Sequence, residues 1–254
     1  MEESPRLELL RFSLPSERSK SVRVRGVPRV STELHDLFST VGPIFSLRLT
    51  ESGERDGCQQ AFVRFYSFRD AARAARVLHR RPFAGSILRV QQCVDRAGDV
   101  LRELPLSRQY CCNLANYYFG FNGWSNSILG NSVSRGAAGN TVVRGDATEP
   151  VLTVRAVCAV EVLVPAFEIA ARGFGEDEEK VQSQAMERTK LAKIKKMAMD
   201  KALSNAFSKI IILLPETGPV AALLDPRVDN CDDLTADQEL PRHYPVRVAP
   251  TAST

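Results

Sequence analysis

Six side chains have the types and spacing for one kind of chemistry: Arg23, Arg25, Arg48, Phe62, Arg64 and Arg89. A guanidinium pairs with phosphate and also lays its plane on a flat ring. An exposed phenyl ring offers a stacking platform to a base. Together they would hold a polyanionic backbone strongly and read its sequence weakly. Arginines are also common on solvated sheet faces, and a face of this kind could instead receive a peptide. A second basic set, Lys190, Lys193 and Lys201 with Lys195 and Lys196, could meet phosphate or cover a solvated helix equally well. Catalytic constellations are missing. His35, His79 and His243 have no local partner at the spacing of a triad, a zinc site or a phosphate loop. The run Glu176-Asp-Glu-Glu179 reads as a solvated helix start rather than a metal cluster. No enzyme, metal, cofactor or small-molecule substrate is expected.

Charge is distributed unevenly. Residues 1–97 carry 17 Lys and Arg against 11 Asp and Glu, residues 98–214 carry 14 against 12, and residues 215–254 carry 3 against 7. A basic front suggests a polyanionic partner, and an acidic tail suggests a solvated, self-screening segment. Six cysteines without a CxxC pair read as reduced, mostly buried thiols. The start Met1-Glu-Glu-Ser-Pro-Arg6 lacks the order of a signal peptide, and no apolar run reaches membrane length. The chain is read as soluble and intracellular.

The elements that must position the arginines follow from periodicity. Ser21 to Val27 alternates, with Val22 and Val24 inward and Arg23 and Arg25 outward. Ser31 to Gly42 carries Leu34, Leu37, Phe38 and Val41 at helical spacing. Ile44 to Leu49 reads as a strand burying Phe45, Leu47 and Leu49. Gln60 to Phe65 reads as another, with Gln60, Phe62 and Arg64 outward. A helix over Arg69 to Arg80 and a strand over Ser86 to Cys93 complete the order βαββαβ.

Further on, Asn113 to Ser125 packs several aromatics and two glycines into thirteen residues. Leu114, Tyr117 and Tyr118 share one side of a helix, Gly120 stops it, and a tight loop through Trp124 must tuck large rings under itself. Leu152, Val154, Ala156, Cys158, Val160, Val162 and Val164 alternate along one long strand, with a partner expected around Phe167 to Gly175. A long helix is expected over Glu187 to Ile212, with Leu191, Ile194, Ala198, Ala202 and Ala206 inward.

The first half, through Ala61-Phe62-Val63-Arg64-Phe65, resembles the RNA-recognition motif, whose sheet face stacks bases on aromatics. Cys58, Gln59 and Gln60 stand where that family opens its third-strand motif with a basic residue, glycine and an aromatic. Arg23 stands where its first strand carries a ring. Of the three stacking rings that the resemblance implies, Phe62 is the one present. The motif Asn113, Leu114, Ala115, Asn116, then Phe119, Gly120, then Asn122, Gly123, Trp124 resembles the recombination mediator Rad fifty-two. The combination is similar to the Rad fifty-two motif-containing family.

The resemblance implies an α+β chain: an RNA-recognition-motif sandwich followed by a partial recombination-mediator-like β-sheet crossed by a long helix. The expected divisions are a lead (1–18), the first domain (19–96), a linker (97–107), the second domain (108–214, with a mobile loop at 130–150) and an acidic, disordered tail (215–254). It also implies non-catalytic binding of DNA, single- and double-stranded, and of RNA in the DNA-damage response or recombination repair. Self-association is implied as well, as a dimer rather than a large ring. Residence would be in the nucleus and cytoplasm, nucleolus or other nuclear bodies included. Ser204, Asn205 and Ser208 stand where the mediator's long helix carries basic groove residues. The aromatic stretch is therefore read as an anchor of the second domain rather than as a contact to ligand.

Overall fold

The computed structural model describes residues 7–28, 33–51, 59–94, 104–144, 147–181, 184–216 and 218–227. Its strands are β1 (Glu8–Arg11), β2 (Ser21–Val27), β3 (Ile44–Glu51), β4 (Gln59–Phe65), β5 (Pro82–Phe83), β6 (Ser86–Ile87), β7 (Arg89–Gln92), β8 (Ser125–Arg144), β9 (Ala147–Val164), β10 (Ile169–Val181), β11 (Ile210–Leu214) and β12 (Ala221–Leu224). Its helices are α1 (Leu34–Ser39), α2 (Phe68–Val77), α3 (Arg108–Phe119) and α4 (Gln184–Ser208).

The first module is an antiparallel sheet in the order β3-β4-β2-β7. Val22, Val24, Ala61, Val63, Phe65 and Val90 point from it into a core closed by Leu34 and Phe38 of α1 and by Ala71 and Ala74 of α2. The opposite face therefore carries the residues between them, as the alternation requires. Ser67 caps α2 by accepting from the amides of Arg69 and Asp70. Helix α1 is shorter than its apolar spacing indicated, and the last strand is split into β6, paired with β5, and β7.

The second module sets a sheet β10-β9-β8 against α4. Val154, Ala156, Cys158, Val160, Val162 and Val164 are buried along β9 as their spacing requires. Ile194, Ala198, Ala202 and Ala206 line the buried side of α4. Gly173 and Gly175 let the helix lie directly on β10, since a Cβ on Gly175 would stand 2.1 Å from the Ala198 carbonyl oxygen. A second sheet, β1-β11-β12, completes the module.

Several sequence expectations are corrected. Residues 130–144 and 147–150 are strand and not loop: Ser125–Arg144 runs antiparallel to β9, with Ser132 opposite Val157 and Val133 opposite Ala156. Pairing to a long apolar strand overrides the weak strand preference of glycine, serine and asparagine. The long helix ends at Ser208, and Ile210–Leu214 is a strand held between β1 and β12. Glu176 to Glu179 does not start a helix, because it lies within β10 opposite Val157 to Val154. The lead is not separate from the domains. Glu8–Arg11 pairs with β11, and the Leu14 amide donates to the Leu104 carbonyl, which ties down the end of the expected linker. The acidic tail is ordered at its start as β12; residues 228–254 lie outside the described residues.

Within the first module Leu49 is 45% exposed rather than inward. Phe45 leaves the module's core as well. A register shift between Ile44 and Ser46 turns it toward Tyr66 and Tyr110, at ring centroid distances of 5.6 and 5.2 Å. Tyr66 itself belongs to the core of the second module. Burial pushes its phenol well above the usual range, with Tyr110 and Cys111 nearby, so it packs as a neutral ring.

The two modules also meet through Glu8, which is 4% exposed. Its carboxylate accepts from Ser67 Oγ at 2.6 Å, Phe68 N at 2.9 Å and Arg69 N at 3.4 Å, so a strand of the second module satisfies the N-terminus of α2.

Candidate nucleic-acid interface

The register of the first sheet builds the site. Arg48 stands opposite Phe62, Phe62 opposite Arg23, and Arg23 opposite Gln91, one residue from each of four adjacent strands. In the next row Arg64 lies between Ser46 and Ser21. Its Nε donates to Ser21 Oγ at 3.2 Å. Arg23 holds its guanidinium carbon 5.5 Å from the centroid of Phe62. At that distance the ring quadrupole attracts the cation by about 0.5–1 kcal/mol on an exposed surface. A positive charge and an aromatic plane are thus held together at the centre of the sheet.

These side chains line a groove of about 780 Å³. Arg18, Arg23, Arg48 and Arg64 supply four cations to its walls, and among the described residues no Asp or Glu lines it. Carboxylates that commonly neutralise a surface arginine are therefore not part of the wall, and the field in the groove favours an anion. Arg25 and Arg89 oppose each other across β2 and β7 and stay exposed at the other end of the face, outside the groove lining. They extend the positive surface without entering the groove.

The groove also takes Arg18, Phe45 and Tyr110, which the sequence does not mark as surface residues of this face. Arg18 sits in a short helical turn, Arg18–Lys20, that leads into β2. Phe45 reaches the groove through the register shift in β3, and Tyr110 arrives from α3 of the second module. The bulge leaves no mark in the alternation of Ile44 to Leu49, and nothing local to Tyr110 indicates that it faces another module.

The lysines of α4 are engaged elsewhere. Lys190 Nζ lies 3.0 Å from a Glu179 oxygen and donates to the Lys180 carbonyl, and Lys193 lies 3.7 Å from the same carboxylate. Hydrogen bonding from Lys190 lowers the Glu179 pKa against the opposing effect of desolvation. Lys201 pairs with Asp177 at 2.6 Å and donates to the Glu176 carbonyl. The acidic run and the lysine arc thus join β10 to α4, and none of the three lysines lines the groove.

The aromatic stretch is an anchor. Trp124 Nε1 donates to Asn116 Oδ1 at 2.8 Å, and the indole meets Phe207 edge-on at 5.2 Å between centroids. Leu114 is buried and Phe119 packs near Phe167. Gly120 ends α3 at φ +84°, and a Cβ on Gly123 would collide with the Phe119 carbonyl. Asn113 and Asn122 are exposed. Tyr117 and Phe121 depart from expectation: Tyr117 is exposed, and Phe121 is 81% exposed instead of tucked under the loop. Asn205, at a position expected to line a basic groove, instead accepts from the Phe174 amide at 3.1 Å.

Among the described residues no group of three or more His, Cys, Asp or Glu could hold a metal ion. No described helix is long and apolar enough to cross a membrane.

Comparison with known proteins matches both modules. Residues 22–89 match the RNA recognition motif and residues 106–211 match the RDM1 DSRM domain. RAD52 motif-containing protein 1 of Gallus gallus is 34% identical over 245 residues, covering 92% of this chain and 86% of that protein. The protein of the same name from Mus musculus is 30% identical over 244 residues, covering 89% and 83%. That of Homo sapiens is 30% identical over 234 residues, covering 87% and 82%. Among solved structures, the Mip6 RRM3 domain is 26% identical and covers 31% of this chain and 98% of its own, with a TM-score of 0.28. The chain belongs to the RAD52 motif-containing protein 1 family.

Proposed function

We propose that this protein binds single-stranded nucleic acid across the sheet face of its first module, without catalytic turnover. The observation that carries the proposal is the row Arg48, Phe62, Arg23, in which one ring is flanked by two arginines inside a groove with no carboxylate among its described lining residues. Phe62 stacks a base, and the arginines hold phosphate on either side. RNA and single-stranded DNA both present that chemistry, and duplex DNA would meet the same arginines through its backbone alone. The family name points to recombination, and the working role is in the DNA-damage response or recombination repair.

The same proposal includes self-association as a dimer. Strand β8 is the outer strand of its sheet and exposes Ile128 and Leu129 beside an edge able to pair with another chain. Sedimentation over a range of concentrations tests this part. Residence in the nucleus and cytoplasm, nuclear bodies included, is tested by imaging the tagged protein.

The deciding experiment is titration of labelled single strands with the parent and with Phe62→Ala at several salt concentrations. Loss of one stacked base weakens binding about ten- to hundred-fold. The salt slope for a single strand should fall by about 0.7 for each arginine removed from the groove. Unchanged affinity on Phe62→Ala refutes the stacking role. Parent affinity weaker than about 10⁻⁴ M even at low salt would instead favour a protein partner on this face.

A further inference from the structure

We infer that the groove holds a second stacking position, built by Phe45 and Tyr110, so that the two modules form one composite site for at least two successive nucleotides. The inference rests on the sheet-face binding proposed above and adds a residue from outside the first module to it.

Tyr110 belongs to α3, yet it lines the same groove as Phe62 and Arg64. It is 39% exposed, and its ring meets Phe45 at 5.2 Å with a 50° tilt. Phe45 in turn rests edge-on against Tyr66, whose ring is buried in the second core. The exposed tyrosine is therefore backed by two fixed rings, which makes it a firm surface. Tyrosine supplies broad contact area at low entropic cost, and its hydroxyl can bond a base edge.

The spacing suits two splayed bases. Arg48 stands opposite Phe62, and the register shift between Ile44 and Ser46 makes the four-residue step from Ile44 to Arg48 span only three residues of β4. Phe45 therefore lies two to three residue rises from that row, roughly 7–10 Å at about 3.3 Å each. That exceeds the step of about 3.4 Å between stacked nucleotides. The bases would thus be unstacked from each other and laid on separate rings, as single strands are when bound by aromatics. Arg64 stands between the two platforms. Its Nε is used by Ser21, and among the described residues its Nη atoms have no protein partner. They are placed to receive the phosphate that links the two nucleotides.

The assignment predicts that affinity depends on a residue of the second module through its ring and not through its hydroxyl alone. The probe is a labelled oligothymidylate of about ten nucleotides, titrated against the full chain and against Tyr110→Leu, Tyr110→Phe and Phe62→Ala. Tyr110→Leu should weaken binding about ten- to hundred-fold, and Tyr110→Phe should stay within about threefold of the parent. If Phe62→Ala weakens binding while Tyr110→Leu does not, the second position is wrong and the sheet-face site stands. If neither weakens binding, both are wrong. Should Tyr110→Leu lower the melting temperature, crosslinking of a 5-iodouracil-labelled strand to the parent protein decides. An adduct on the peptide containing Tyr110 supports the composite site, and adducts confined elsewhere overturn it.

Discussion

Replacing Gly175 with alanine tests how α4 is seated on the second module. A Cβ at that position would stand 2.1 Å from the Ala198 carbonyl oxygen and 2.2 Å from the Ala202 amide nitrogen, where ordinary contact begins at 3.4 Å. Both atoms are backbone, so neither can rotate aside as a side chain would. The helix must rise from β10 by about 1 Å, and a gap of that size forfeits a quarter to a half of the dispersion attraction across it. Ile194, Leu203 and Phe207 are fully or almost fully buried on the same helix and would loosen with it. Overpacking against a rigid wall costs about 3 kcal/mol. At about 2–4 °C per kcal/mol for a domain of this size, the melting temperature should fall by about 6–12 °C. Circular dichroism melts of the parent, Gly175→Ala and Gly136→Ala provide the comparison. Gly136 is exposed on β8 with open space around its would-be Cβ, so its substitution should stay within about 0.5 kcal/mol. A Gly175→Ala protein melting within about 1 °C of the parent would refute the close crossing.

Asp70 should give the protein a pH-dependent stability. Burial, and then the neighbouring Glu8, push its carboxyl up to about 7, against the pull of Arg73 and Arg69. Because the folded value lies above the ordinary 3.8, the contribution of the protonated form is complete below about pH 4 and lost as pH rises through about 7. Asp70→Asn should flatten that decline and stabilise the protein at pH 8 by about 4 kcal/mol, read by denaturant melts at both ends of the range. Asp225 runs the other way. Burial would raise its pKa, but hydrogen bonds from Arg11 and Arg227 outweigh it and hold the carboxyl near about 2. Asp225→Asn should therefore destabilise at neutral pH and lose its effect on acidification. Trp124→Ala should lower stability by about 3 kcal/mol with unchanged oligonucleotide affinity in the folded protein; retained melting temperature with lost binding would make the aromatic stretch part of the site. Neutralising Lys190 and Lys193 to glutamine should leave the duplex salt slope as it is, since Glu179 already engages them. A slope shallower by about 2 would show that they meet phosphate.

Much of the first module and its surface was legible in order along the chain. In Ser21 to Val27 and Gln60 to Phe65 a half-buried strand must alternate, so Arg23, Phe62 and Arg64 fall on the outer face whichever strands lie beside them. The apolar alternation of Leu152 to Val164 was equally decisive, and so was the glycine stop at Gly120. Local periodicity carried no information where the burial of a segment depends on what lies across from it. Ile210–Leu214 is apolar at every position, so helix and strand predict the same residues, and its pairing to β1 and β12 made the choice. Glu8–Arg11 is too short for a pattern, yet it supplies a strand to one module and a carboxylate cap to the other. Glu176 to Glu179 has the same composition on a strand as on a helix start, and the lysines of α4 determine which face its charges serve. Residue types and their period determined the arginine-covered face around Phe62. The tertiary structure alone decided that Phe45 and Tyr110 complete its groove, because a strand bulge and the docking of a second module are set by long-range packing, which leaves no period in the sequence.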